Sequence, residues 1–141
     1  MSQENVELHR YAIKTFNAHD LEAFIALCDP SVEANSVFAA IGGGVYHGHD
    51  GVRRFFSDAA EAWGDEIRGE VEAFFDLGED TLAFYVLHGR GRQSGAEVAM
   101  PLAQLMRWRD GLVVYWKVYV RREDALSDLG VSEDSLERIE P

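Results

Sequence analysis

Five histidines, one cysteine and scattered carboxylates are the side chains of this 141-residue chain most able to do chemistry. His88 follows Phe84 and Val86 at alternate positions of an apolar run, and alternate residues of a strand share a face. If that face lines a pocket, Phe84 and Val86 would touch a ligand. His88, titrating near neutrality, would then serve as general acid or base. The alternative is a histidine packed and hydrogen-bonded in the core. Glu33 and Asn35 flank Ala34 on a second extended stretch. A one-residue bulge would turn one of them into the pocket, whereas regular alternation leaves Glu33 on a solvated face, the usual place for glutamate. His47-Gly48-His49-Asp50 brings two imidazoles close together, but no third ligand is evident nearby. Catalytic zinc takes three protein ligands plus water, so no metal is expected, and Asp50 or His49 is read as capping the next helix. Cys28 reads as a small core residue, and His9 as half-buried packing on a helix stripe.

Elements must hold these groups. Val6, His9, Ile13 and Phe16 recur at three- and four-residue steps, which predicts a helix to about Asn17. Asp20 can cap a second short helix, Leu21 to Cys28, ended by Asp29-Pro30. Val32 to Ala40 reads as extended and Gly42-Gly43-Gly44 as a bend. Val52, Phe55, Phe56, Ala59, Ala60 and Trp63 mark a third, amphipathic helix. Four strands follow: Ile67 to Leu77, Thr81 to about Arg92, Glu97 to Arg109, and Leu112 to Arg121. Asp110-Gly111 is a strong hairpin signal, and Pro101 implies an edge or a bulge. Alternation directs Trp108 and Trp116 towards the pocket, with Tyr115 and Tyr119 on the outer face. A helical turn from Asp124 to Leu129 precedes acidic coil. The order describes an α+β domain over 1–130 with an acidic tail over 131–141.

Composition narrows the partners. The formal charge of −12 opposes nucleic acid and anionic membranes, which need a positive field. That charge is uneven. Between His88 and Arg122, seven basic residues outnumber two acidic ones, while in the tail Arg138 alone faces the acidic residues, so tail docking or self-association is expected. A single cysteine excludes an internal disulfide. No apolar run reaches the roughly 20 residues of a membrane span, and the N-terminus lacks a secretory pattern; a cytoplasmic setting is expected.

Several segments together resemble the NTF2-like superfamily, its SnoaL-like branch most closely, with ketosteroid isomerase and limonene-epoxide hydrolase as catalytic relatives. They are Arg10-Tyr11 through Asn17-Ala18-His19-Asp20-Leu21, Asp29-Pro30-Ser31-Val32-Glu33, Tyr46-His47-Gly48-His49-Asp50-Gly51-Val52, Trp108-Arg109-Asp110-Gly111 and Trp116-Lys117-Val118-Tyr119-Val120. The resemblance implies a cone-shaped fold: a curved, mostly antiparallel sheet packed on three helices around an apolar pocket, with a homodimer formed through the sheet. It implies Tyr11 and Gln104 as donors that polarise a ligand oxygen. The isomerase's base position falls on Ala34. The hydrolase's final-strand aspartate position falls on Val118, which would line the pocket instead. The expected partner is thus a small apolar molecule, with no cofactor. Two functions follow: proton-transfer chemistry with His88 or Glu33 moving the proton, or a non-catalytic ligand-binding or dimerisation module.

Overall fold

A computed structural model of the chain describes residues 3–36, 44–91 and 94–141. Helix α1 (Gln3–Asn17) forms on the expected stripe, with Val6, His9 and Ala12 fully buried. Isolated helices of this length are marginal in water, so that packing supplies its stability. The break comes where expected: His19 takes a φ of 57°, and the Asp20 carboxylate accepts the Ala23 N–H at 3.1 Å to cap α2 (Leu21–Ile25). That helix is shorter than the sequence suggests, because Cys28 already begins strand β1 (Cys28–Asn35). Pro30 therefore lies inside a strand. It costs no ladder bond there, since β1 pairs with its neighbour at Cys28 and again only from Glu33. The expected continuation to Ala40, with Gly42 and Gly43 of the bend, lies outside the described residues.

A short strand not foreseen, β2 (Val45–His47), runs into α3 (Gly48–Trp63). Its first turn lacks the expected side-chain cap, and His49 Nε2 stands 2.9 Å from the Cys28 carbonyl instead. Strands β3 (Arg68–Leu77), β4 (Asp80–Arg90), β5 (Glu97–Arg109) and β6 (Leu112–Tyr119) follow. The chain closes with α4 (Arg122–Leu129), a 3₁₀ turn at Glu133–Ser135 and β7 (Arg138–Ile139). The sheet order is β2-β1-β6-β5-β4-β3-β7. Only β1 and β6 run parallel among the described strands, so the α+β, mostly antiparallel expectation holds.

Local chemistry explains the joints. Asp110 and Gly111 both take positive φ, 53° and 77°, as a two-residue turn matched to strand twist requires. Pro101 lies where β5 has β4 on one side only, because β6 reaches no further than Ala103; this is the predicted edge. One-residue register shifts occur between Val71 and Ala73 and between Arg107 and Trp108. The acidic end is not simple coil: Ile139 pairs with Phe74 in the sheet. Asp128 on α4 meets Lys117 at 3.6 Å and accepts the Tyr119 hydroxyl at 2.9 Å, so acidic chain does dock on the basic strands.

Helices α1 to α3 cover one sheet face and enclose the main core. The other face carries a second cluster of Ala73, Phe75, Leu82, Phe84, Ala103, Leu105 and Tyr119, covered by α4 through Ala125, Leu126 and Leu129. Both faces of β4 are consequently apolar.

Candidate functional site

Strand β4 decides which groups reach the interior. Thr81, Tyr85 and Leu87 face the helices, while Leu82 and Phe84 face α4. The sequence-based assignment of Phe84, Val86 and His88 to the inner pocket face is therefore corrected by one residue, and His88 instead borders an open polar cleft of about 600 Å³ with Arg68, Arg90 and Glu97. Thr81 to Tyr85 and Leu87 are all buried, so alternation held no information on which set looked inward. Phe84 packs on Phe75 at 4.9 Å and under the Arg122 guanidinium. Val86 lies opposite Pro101, and His88 Nε2 meets the exposed Glu70 carboxylate at 2.9 Å.

Between helices and sheet lies a cavity of about 40 Å³, lined by Ile13, Phe16, Phe24, Phe55, Gly69, Tyr85, Leu87, Gln104 and Val118. Pockets that bury drug-sized ligands reach roughly 300–1,000 Å³, so most of the expected cone is filled. Aromatic rings fill it edge to face: Phe24 stands 5.1 Å from Phe56 and 5.3 Å from Trp116, and Phe55 lies 5.4 Å from Trp116. Gln104 is the one side-chain amide in the lining, held opposite Val118 by the β5–β6 register.

Behind Gln104 is a polar chain crossing three elements. Its Oε1 stands 3.0 Å from His9 Nε2. His9 Nδ1 stands 2.7 Å from Thr81 Oγ1, which accepts the Trp108 indole N–H at 2.9 Å. His9 is completely buried, and that desolvation lowers its pKa to about 4, against a smaller upward pull from Gln104. The imidazole is thus neutral at physiological pH. Tyr85 is the second polar group of the lining, and burial raises its pKa, so its phenol stays protonated. The Tyr85 ring lies over Gly69: a β-carbon there would stand 3.2 Å from Cδ2. Asn17 at the end of α1 fixes that glycine by donating to its carbonyl (2.8 Å) and accepting its N–H (2.7 Å).

The other expected groups are dispersed. Tyr11 is 49% exposed and absent from the lining, because the buried stripe of α1 passes through His9 and Ala12. Ala34, not its neighbours, faces the core, opposite Trp116. Glu33 and Asn35 point the other way: the register of β1 shifts between Cys28 and Glu33, yet Val32 and Ala34 are the residues buried, and Glu33 sits 3.8 Å from His47. Trp108 and Trp116 are buried on the inner face as expected, though they pack around the cavity and do not line it. Val118 does line it. Burial pushes the Cys28 thiol up to about 12, consistent with a core residue. No cluster of three or more metal-ligating side chains occurs among the described residues. Nor is any described helix long and apolar enough to cross a membrane.

The order of helices and the curved seven-stranded sheet define an NTF2-like fold. An NTF2-like protein of unknown function from Burkholderia pseudomallei superposes with a TM-score of 0.75 at 20% identity, covering 90% of this chain and 97% of that one. A hypothetical protein with a ketosteroid isomerase-like fold from Catenulispora acidiphila, solved with trimethylamine, gives 0.72 at 14%, covering 91% and 95%. A candidate SnoaL-like polyketide cyclase from Jannaschia gives 0.72 at 17%, covering 84% and 85%. No curated protein matches in sequence. The family model for the SnoaL-like domain matches residues 8–116, and the chain belongs to that family.

Proposed function

We propose that this chain is a SnoaL-like pocket protein that binds a small, largely apolar molecule through the cavity between α1, α3 and the sheet. The observation that carries the reading is a lining of aromatic and aliphatic side chains interrupted by two polar groups, the Gln104 amide and the Tyr85 phenol, the composition expected of a ligand site with a few orienting polar groups. A ligand larger than a few atoms enters by turning the Phe24 and Phe55 rings.

Binding is better supported than proton transfer. Among the described residues the lining holds no carboxylate or imidazole, and His88 and Glu33 stand on the other face. Gln104 and Tyr85 remain able to donate to a ligand oxygen. The homodimer reading falls on the part of the outer face beyond α4, around Val86 and the exposed Pro101.

Thermal stabilisation by a panel of small cyclic ketones and epoxides tests this, since a ligand that binds only the folded state raises its stability. Stabilisation by panel members, abolished by Val118→Phe, is expected. No stabilisation by any member, or stabilisation indifferent to Val118→Phe, refutes the pocket. Turnover of a bound member would restore the catalytic reading.

A further inference from the structure

The polar chain behind Gln104 has a direction, and the direction sets what the cavity can bind. We infer that His9 is held as its neutral Nε2–H tautomer and turns the Gln104 amide so that its NH₂ faces the cavity, selecting ligands that present an acceptor oxygen, such as a ketone or quinone carbonyl. This rests on the pocket reading above.

The protons of the chain can be counted. The indole of Trp108 can only donate, so Thr81 Oγ1 must accept from it. The described residues give Thr81 Oγ1 one further neighbour, His9 Nδ1. The hydroxyl proton, fully buried, has nowhere else to go, so Nδ1 accepts it. A neutral imidazole then carries its proton on Nε2 and donates to Gln104 Oε1. With its oxygen turned to His9, the Gln104 amide directs its two N–H donors towards the cavity.

The reversed arrangement fails at one atom. Were the Gln104 NH₂ turned to His9, Nε2 would accept and Nδ1 would carry the proton. Thr81 would then receive two donors, and its own hydroxyl proton would be buried without an acceptor, an expensive state. Protonated His9 fails likewise, because both ring nitrogens would donate. A second observation points the same way. The indole N–H of Trp116, fully buried in the same core and in edge contact with the lining rings Phe24 and Phe55, has no acceptor among the described residues. The surroundings of the cavity therefore offer donors in surplus.

His9 and Thr81 are positioning residues in this scheme, acting through Gln104. Nitrogen NMR of the imidazole reads the tautomer without any ligand, because protonated and bare ring nitrogens resonate far apart. Nε2–H with a bare Nδ1 from pH 8 to 5.5 is expected. An Nδ1–H signal, or imidazolium at pH 6, overturns the inference whatever the cavity binds. Thr81→Val removes the proton that Nδ1 accepts and should shift the bare Nδ1 resonance, and Thr81→Ser should return it to its wild-type position; an Nδ1 resonance unmoved by Thr81→Val also overturns the inference.

Ligand class is read with cyclohexanone and its hydrocarbon counterpart methylenecyclohexane, which differ at the oxygen. The wild type should hold the ketone about tenfold more tightly, the ratio one net hydrogen bond supports, and Gln104→Leu should level the two. Equal binding to the wild type overturns the ligand class while leaving the apolar pocket standing. If neither probe binds, the pocket reading and the ligand class fall together, and the ring signal still decides the direction of the chain.

Discussion

Buried His9 makes stability depend on pH in a way that can be isolated. In the unfolded chain its imidazole titrates at its ordinary 6.5, while in the fold burial holds it at about 4. Below 6.5 the unfolded state takes up a proton that the folded state refuses, so falling pH favours unfolding. The contribution is fully present above 6.5 and is lost as pH falls from 6.5 to about 4. At about 1.4 kcal/mol for each pH unit of that gap, the loss amounts to about 3 kcal/mol, a large share of the roughly 5–15 kcal/mol that holds a domain folded. Carboxylates titrate in the same range, so the comparison must be with His9→Gln, which keeps them all. Urea unfolding at pH 7.5, 6.5, 5.5 and 4.5 gives the free energy of each protein. The variant starts less stable because the polar chain is cut, and the gap between the two should shrink by about 2.5 kcal/mol by pH 4.5. A gap that stays constant across the series would falsify the claim that His9 is buried and neutral.

Other consequences are simpler to check. Asn17→Ala removes both hydrogen bonds to the Gly69 backbone and should cost about 2 kcal/mol in chemical denaturation, with Asn17→Asp losing roughly half of that; an effect within error would mean that the clamp is idle. Gly69→Ala places a β-carbon against the Tyr85 ring. It should weaken cyclohexanone binding several-fold with a smaller effect on stability, and unchanged affinity would place the probe elsewhere. Cys28, with its thiol pushed up to about 12, should resist iodoacetamide at pH 8 until the chain unfolds. Rapid labelling of the folded protein would contradict its burial.

What was legible in the sequence was local. The stripe of α1, the Asp20 cap and the Asp110-Gly111 hairpin depend on residues a few positions apart, and each formed where expected. The inward face of β4 was not legible, because a strand buried on both sides shows no alternation. The covering of its second face came from α4, about forty residues later. Glu33 was settled by pairing with β2, a three-residue strand too short to show a pattern. His9 was found on its stripe, yet its partners Thr81 and Gln104 lie 72 and 95 residues away. One signal was present: the largely apolar stripes on α1, β4 and β5 are interrupted by His9, Thr81 and Gln104. Buried polar groups are hydrogen-bonded, so three such interruptions facing one core invite each other.

The central claim is that the inner face of the sheet, at Gln104, is where a ligand binds. NMR of labelled protein titrated with cyclohexanone tests it most directly, following the Gln104 side-chain amide and the Leu87 and Val118 methyls against Val86 and His88 on the opposite face. The account predicts saturable shifts at Gln104, Leu87 and Val118, with Val86 and His88 unmoved. Shifts confined to Val86 and His88 would contradict it and return the site to the outer face of β4.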